Sequence, residues 1–317
     1  MIGWVGIHEP AQTNEDTTPV LKAAANGVPP SGKKTAIVTG ASSGIGLATV
    51  LRLLKGGYEV HAGARRVDAM RELGAQGAHL HHLDLTQPES IEAFVGEVLA
   101  ASGRIDVLVN NAGYGAYGAV EEVPLSDARA QMEVNLFGLA HLIQLALPTM
   151  RAQGSGRIIN VSSIGGRVWS PLGAWYQASK FALEGFSDCL RNELRPFGID
   201  VVVVQPGGIK TEWAPIMVDN MMKTSGTGPY REIAERAAEV HSKLGPHAAE
   251  PKVISDAIWT AVTVKRPRSR YVAPFSGKVF LWLRSALSDR AFDWVLGSLL
   301  FNMPKKIQAE SAKVKAA

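Results

Sequence analysis

Tyr176 and Lys180 stand four residues apart in the segment YQASK. On a helix that spacing puts both side chains on one face. A free phenol has a pKa of about 10 and is a poor acid or base near neutrality. A nearby ammonium favours the phenolate and brings that value down. The pair therefore has the chemistry of a proton donor and acceptor for an oxygen that gains or loses charge. Taken alone, such a pair is more often a solvated helix face. A second chemical signal lies in TGASSGIG, with glycines at Gly40, Gly44 and Gly46. Glycines there let the backbone approach a pyrophosphate, and a following helix N-terminus offers free N–H groups and partial positive charge. An ordinary tight turn is the competing reading.

The elements that must position these groups alternate along the chain. Apolar runs predict strands at Thr35–Thr39, Glu59–Ala64, 79–83, Val107–Asn110, 157–162 and 200–205; helical spacing predicts helices at Gly44–Lys55, 86–102, 126–150 and 175–195. Thr86 and Glu89 have capping-box spacing at the start of the second helix. Continuous apolar strands alternating with helices argue for an α/β fold, a Rossmann-type doubly wound parallel sheet covered on both faces. After Gly207 the pattern turns helical and Met-rich to Leu244, followed by a helix at 252–264, a strand at Arg270–Ala273 and an apolar, Trp-containing helical segment over 278–301. Residues 1–32 show no period and read as a loose tail. The expected organisation is one catalytic domain over 33–275, with a substrate lid at about 211–245, and a helical extension over 276–317.

Composition narrows the class. With 317 residues, 46% of them hydrophobic, the chain can bury a full core. The 33 Lys and Arg against 29 Asp and Glu leave a net charge of only +4, which gives no nucleic-acid-binding face; Lys265, Arg266, Arg268 and Arg270 read as a solvated run. One cysteine, Cys189, excludes an intramolecular disulfide and fits a reducing compartment; it is expected to be a small core or interface residue. No apolar stretch has transmembrane length, and the first residues lack the features of a secretory signal, so a cytoplasmic location is expected. No set of residues is assigned to a metal.

The spacing TGxxxGxG resembles that of the short-chain dehydrogenase/reductase superfamily, and further segments follow in order. They are NNAG at 110–113, Asn135 in EVNLFG, Ser162-Ser163 at the end of the fifth strand, YQASK, and Pro206-Gly207 with Thr211 beyond. The resemblance covers about Lys34 to Arg270 and is closest in style to the hydroxysteroid- and retinol-dehydrogenase-like branch. It implies hydride transfer between a nicotinamide cofactor and a carbonyl carbon, with Tyr176 as acid/base and Lys180 also holding the nicotinamide ribose. Ser163, thirteen residues before Tyr176, would hydrogen-bond the substrate oxygen, and Ser162 would be structural. Asn135 would kink its helix and position a water beside the lysine; a helix-interior polar residue satisfied by its own backbone is the alternative. Around the cofactor the resemblance implies Gly40, Ser42, Ser43, Gly44, Ile45 and Gly46 at the phosphates, and Asp84 with Leu85 at the adenine. For Asp84, a helix N-terminal acid is the alternative. Asn110, Asn111, Ala112 and Gly113 would wall the adenosine ribose, and Pro206, Gly207, Ile209 and Thr211 would face the nicotinamide amide.

NAD-type sites of this fold place a carboxylate at the end of the second strand. Here that position falls on Ala64, followed by Arg65 and Arg66. A small neutral residue leaves room for a 2′-phosphate and a guanidinium can grip it, so NADP(H) is expected, with Arg65 ahead of Arg66 and Ser42 adding a hydroxyl. Solvated loop charges are the competing reading. Trp213, Ile216, Met217, Met221, Met222 and Tyr230, with Tyr114, Tyr117, Val168 and Trp169, suit a lipophilic ketone, aldehyde or alcohol, although many such side chains simply pack cores. A 3-oxoacyl-thioester reductase and a non-catalytic NADP(H) sensor are the other function classes; the long apolar C-terminus speaks against the first, and the presence of both Tyr176 and Lys180 against the second. The C-terminal segment is expected to pack on its own domain or a partner subunit ahead of a membrane surface. The resemblance implies a homodimer or homotetramer.

Overall fold

The computed structural model describes residues 32–298. The expected N-terminal tail and the end of the C-terminal segment lie outside the described residues. Seven parallel strands form one sheet: β1 (Thr35–Thr39), β2 (Glu59–Ala64), β3 (His79–His82), β4 (Val107–Asn110), β5 (Gly156–Val161), β6 (Ile199–Pro206) and β7 (Arg270–Ala273), in the order β3-β2-β1-β4-β5-β6-β7. Successive side chains of a strand point to opposite faces. In β1, Ile37 joins one core while Ala36 and Val38 join the other, which is why the strand reads as an unbroken apolar run.

Helices cover both faces. On one lie α1 (Gly44–Lys55), α2 (Arg71–Ala75) and, near the end of the chain, Lys252–Thr263. Val50, Leu53, Leu73, Ile254 and Ile258 from these elements pack on Val60, Val107 and Val202 of the sheet. On the other face lie α3 (Pro88–Ser102), α4 (Leu125–Met132), α5 (Gly138–Gln153) and α6 (Ala174–Leu194), with Phe94, Leu142 and Leu183 among their buried side chains. Beyond β6 come α7 (Trp213–Ser225) and α8 (Arg231–Leu244), then α9 (Lys252–Thr263, already placed), α10 (Phe275–Ala286) and α11 (Asp289–Leu296). β1 feeds β2 on one side of itself and lies beside β4 on the other. At such a switch point the connections part, opening a crevice at the C-terminal strand ends.

Several expectations are corrected. The capping box does not form: α3 starts at Pro88 with Gln87 as its cap, and the Thr86 hydroxyl donates instead to Asp84 Oδ1 at 2.8 Å. Proline at the first helical position moves the boundary, because its missing N–H costs nothing there. The single helix expected over 126–150 is α4 and α5 joined by a π turn, Glu133–Phe137. Arg270 is not part of a solvated run; its guanidinium binds Glu184 at 2.9 Å and Asp188 at 2.7 Å. Cys189 is exposed in this chain and is no core residue. Val168 and Trp169 seat the C-terminal helices. Val168 is buried with Phe292 and Leu296, Trp169 Nε1 donates to Asp293 at 2.7 Å, and Arg284 stacks 4.4 Å above the Trp169 ring. No helix among the described residues is long and apolar enough to cross a membrane.

Candidate active site

All of the residues expected to act together follow the C-terminal ends of strands or line the helices beside them. The glycine turn after β1 depends on its small residues. Gly40 has φ +65°, and a Cβ on it would lie 2.8 Å from Ala112 Cα; a Cβ on Gly46 would lie 2.2 Å from the Gly40 carbonyl oxygen. Asn111 locks the turn, donating from Nδ2 to the Thr39 carbonyl at 2.9 Å, while Thr39 Oγ1 accepts from the Asn111 and Ala112 N–H groups at 3.0 Å each. At the N-terminus of α1 the Ser43 side chain makes no capping bond and the first turn carries no acidic residue. The amides there remain available to an anion. A cleft of about 650 Å³ opens at this point, lined by Ser42, Ser43, Gly44 and Thr211 among others. These features fit a bound dinucleotide phosphate.

The strand-end residues divide into two groups. Ala64 is buried and offers no carboxylate, and Arg65 and Arg66 are exposed beyond it. Arg66 lies 3.7 Å from Glu212 in a solvent-exposed pair, whereas Arg65 acts electrostatically on Asp84 and Tyr114. Asp84 Oδ1 accepts from both the N–H and the hydroxyl of Thr86; burial pushes its carboxyl up, but these bonds and the charge of Arg65 hold it below the usual range. The Asn110 side chain turns to the neighbouring strand. It is buried inside the sheet and donates to Asn160 Oδ1 at 2.9 Å, and Asn160 in turn donates to Ser187. Leu85 is buried, its carbonyl pressed against Gly138, where a Cβ would come within 2.1 Å. Ile209 reaches Ala249 in a short parallel bridge, which holds the loop after Pro206 and Gly207 across the strand ends.

Tyr176, Ser163, Lys180 and Asn135 converge. Ser163 Oγ and the edge of the Tyr176 ring both border Gly165, where a Cβ would lie 3.3 and 3.4 Å from them, and Ser163 Oγ accepts from the Gly165 amide at 3.0 Å. Lys180 Nζ sits 5.9 Å from the Tyr176 ring centroid and donates to the Val161 carbonyl at 2.9 Å. Asn135 lies in the π turn. Its side chain accepts from the Tyr114 amide at 3.2 Å and donates to the Tyr114 carbonyl and to Ser179 Oγ, both at 3.0 Å. Bonding its own backbone is thus not the role the π turn gives it. Gly113 runs between these groups: a Cβ there would lie 3.0 Å from Asn135 Oδ1 and 3.6 Å from Lys180 Nζ. Ser162 points away from this group, buried and without a hydrogen-bond partner among the described residues.

The electrostatics differ from the expectation. Burial pushes the Tyr176 phenol up to about 12, and the Ser163 hydrogen bond is the opposing effect. Burial pushes the Lys180 ammonium down to about 8, with Glu184 opposing. Desolvation dominates because both groups are sealed, and one of the three Lys180 donors is held by the Val161 carbonyl. A phenol so raised keeps its proton near neutrality.

Above the phenol sits an aromatic wall. Tyr117 and Trp213 lie 5.5 and 5.2 Å from the Tyr176 ring, and Met217 and Met221 are buried behind them. Met222 and Tyr230 pack at the edge of this cluster, whereas Ile216 points to solvent. Sequence reasoning missed Ser179, which donates to the Tyr176 carbonyl at 2.7 Å and receives Asn135. It lies inside YQASK, three residues after Tyr176, so helical spacing could have found it. It also missed Gln131, whose side-chain oxygen accepts from the Ala116 amide and fixes the loop that carries Tyr114 and Tyr117.

The short chain dehydrogenase profile matches residues 34–220, and the chain belongs to that oxidoreductase family. It is 36% identical over 279 residues to the Bacillus subtilis protein named uncharacterized oxidoreductase YusZ, covering 85% of this chain and 99% of that one. It is 34% identical over 264 residues to a 3-ketodihydrosphingosine reductase of Bacteroides thetaiotaomicron, covering 82% and 95%. A metagenomic short-chain oxidoreductase solved in complex with NADP superposes with a TM-score of 0.60 at 31% identity, covering 76% and 96%.

Proposed function

We propose that this protein is an NADP(H)-dependent oxidoreductase that interconverts a carbonyl and an alcohol on a lipophilic substrate. The observation that carries the reading is the buried Tyr176 phenol, beside Ser163 and under an aromatic and thioether wall. The nicotinamide, when bound, supplies or accepts the hydride. The chain's own residues do the rest. The uncapped start of α1 and the Gly40–Gly46 turn hold the phosphates, with Ser42, Ser43 and Ile45 presenting their backbone. Arg65 grips the 2′-phosphate in the space that Ala64 leaves open. Asn111, Ala112, Gly113, Pro206, Gly207, Ile209 and Thr211 enclose the remainder. Ser163 and Tyr176 share the substrate oxygen. As negative charge builds there, the Tyr176 hydroxyl delivers its proton, and the reverse direction returns it. Lys180 and Asn135 hold the tyrosine and the sugar in register.

The wall of Tyr117, Trp213, Met217 and Met221 excludes water and selects an apolar group beside the carbonyl. The relative whose name gives reduction of a 3-keto compound supports the reductive direction, and the NADP complex supports the cofactor. The test is a panel of apolar ketones, aldehydes and alcohols and of charged sugars, assayed with NADPH, NADH, NADP and NAD. Turnover is expected with NADPH and apolar ketones. Failure of every carbonyl and alcohol with all four forms would overturn the reading, and a preference for NADH would remove the assignment of Arg65.

A further inference from the structure

The end of the sheet opposite the active site carries a cluster that the reaction does not use. Glu59 and His61 lie two residues apart on β2, and His79 opens β3, the edge strand. His61 and His79 are direct parallel partners, so their rings stack at 4.6 Å, 13° from coplanar. We propose that Glu59, His61 and His79 form a divalent transition-metal site of the zinc class at this edge.

The donor geometry supports it. One ligand atom from each residue lies within 4.8 Å of the other two. Glu59 Oε1 is 3.3 Å from His79 Nε2 and 3.9 Å from His61 Nε2. A tetrahedral zinc ion with bonds of about 2.0–2.1 Å sets its ligands about 3.4 Å apart. The two rings stack nearly coplanar, so their in-plane lone pairs meet at one ion only after the half-exposed His79 turns out of the stack. Two imidazoles and one carboxylate, with one position left open, make a donor set that zinc accepts.

Two further observations point to the same place. His61 is completely buried, and its ring is held by a relay: His61 Nδ1 to His81 Nε2 at 2.9 Å, and His81 Nδ1 to Glu97 Oε2 at 2.6 Å. The Glu97 carboxylate only accepts, so with His81 neutral each ring carries its proton on Nδ1. His61 Nε2 then keeps its lone pair, directed at Ser102 Oγ with Glu59 Oε1 3.9 Å away. A carboxylate–histidine relay behind a ligating imidazole is how metal sites fix tautomer and orientation. At present the Ser102 hydroxyl, 2.8 Å away, holds that lone pair. A metal turns one hydroxyl rotor aside, a single neutral hydrogen bond against a coordinate bond. Access exists as well: a cavity of about 410 Å³ is lined by Glu59 and His79, and His79 is half exposed. Lys33 lines the same cavity and is the positive charge a metal must tolerate.

Bound metal would clamp edge strand β3 to β2. The experiment is a titration of the tag-free full-length protein, freed of metal by chelator, with Zn²⁺ by calorimetry, and with Co²⁺ by visible absorption. The expected result is one Zn²⁺ per chain, intense tetrahedral Co²⁺ bands, and a higher melting temperature with Zn²⁺ as mass action requires. Glu59→Gln and His79→Ala should each weaken Zn²⁺ at least ~10-fold. Both side chains reach solvent, so folding should survive, and melting in chelator checks that. No saturable Zn²⁺ binding, or binding of equal affinity in both variants, overturns the site. Octahedral Co²⁺ spectra with unchanged melting would also overturn it.

Discussion

The two ends of the sheet carry polar clusters made in different ways. At the C-terminal end, Tyr176 and Lys180 share one helix, and Ser163 and Asn135 reach them from neighbouring elements. At the N-terminal end, Glu59, His61, His79 and His81 come from two paired strands and are brought together by register alone. The first cluster has a linear signature because a helix repeats its face every three or four residues. The second has none, because the partner of a strand residue is set by where another strand begins. Function built on a helix can be read along the chain; function built across a ladder has to be read from the pairing.

The sharpest way to separate the two ends is to disable one and watch the other. Tyr176→Phe keeps the ring in its aromatic box but removes the proton donor. Turnover should fall by roughly 10²–10⁴-fold, or ~3–5 kcal/mol in the barrier, as for loss of a general acid. Dinucleotide affinity and unfolding free energy should hardly move. Cofactor titration by fluorescence together with steady-state kinetics checks this; an unchanged kcat would remove Tyr176 from the chemistry.

At the other end, Phe94 packs edge-on against His81 and is buried in the core under α3. Phe94→Ala should cost about 3–5 kcal/mol of stability, since an aromatic side chain is removed from a sealed core. Turnover per folded molecule should stay constant. Urea unfolding and active-site-normalised rates test the pair of statements, and a parallel loss of kcat would show that the ends are mechanically linked.

Arg65→Ala should raise the dissociation constant for NADPH by about 10–100-fold, the worth of charge-assisted bonds to one phosphate, and leave NADH unaffected. Arg66→Ala should do less, because Arg66 already faces Glu212 across 3.7 Å. Equal effects on NADPH and NADH would place Arg65 outside the 2′-phosphate contact.

The strands, the glycine turn and the shared face of Tyr176 and Lys180 were legible because each is local: an apolar run, a φ that only glycine takes easily, or a helical repeat; Ser163 and Asn135 were reached only through the family resemblance. What escaped the sequence depends on contacts between distant segments. The partners of the Asn135 side chain, the Tyr114 amide and carbonyl, lie 21 residues earlier. Arg270 left a basic run to meet Glu184 and Asp188. Val168 and Trp169 meet Phe292 of the C-terminal helices. The ammonium's expected effect on Tyr176 failed for a related reason: burial is a property of the whole fold, and no spacing of two residues reports it.

That failure makes the pH profile informative. With Tyr176 pushed up to about 12, the phenol keeps its proton throughout the working range, so it sets no upper limit near neutrality. Lys180, pushed down to about 8 by burial, does lose its charge there. In the reductive direction kcat/KM should fall as pH rises past about 8, by about tenfold one unit beyond, if the ammonium holds the sugar and the phenol in place. Stability should move the opposite way. Between about 8 and the ordinary lysine value the unfolded chain binds a proton that the native chain has released, so the Lys180 contribution raises stability with pH across that window. Below about 8 both states are protonated and the cost of the buried charge is fully present. Lys180→Met should therefore abolish the alkaline rise in unfolding free energy while it lowers turnover. A wild-type rate that holds level to pH 10 while stability climbs would mean that the charge of Lys180 is not used in the reaction, and that the two ends of the sheet differ less in chemistry than in position.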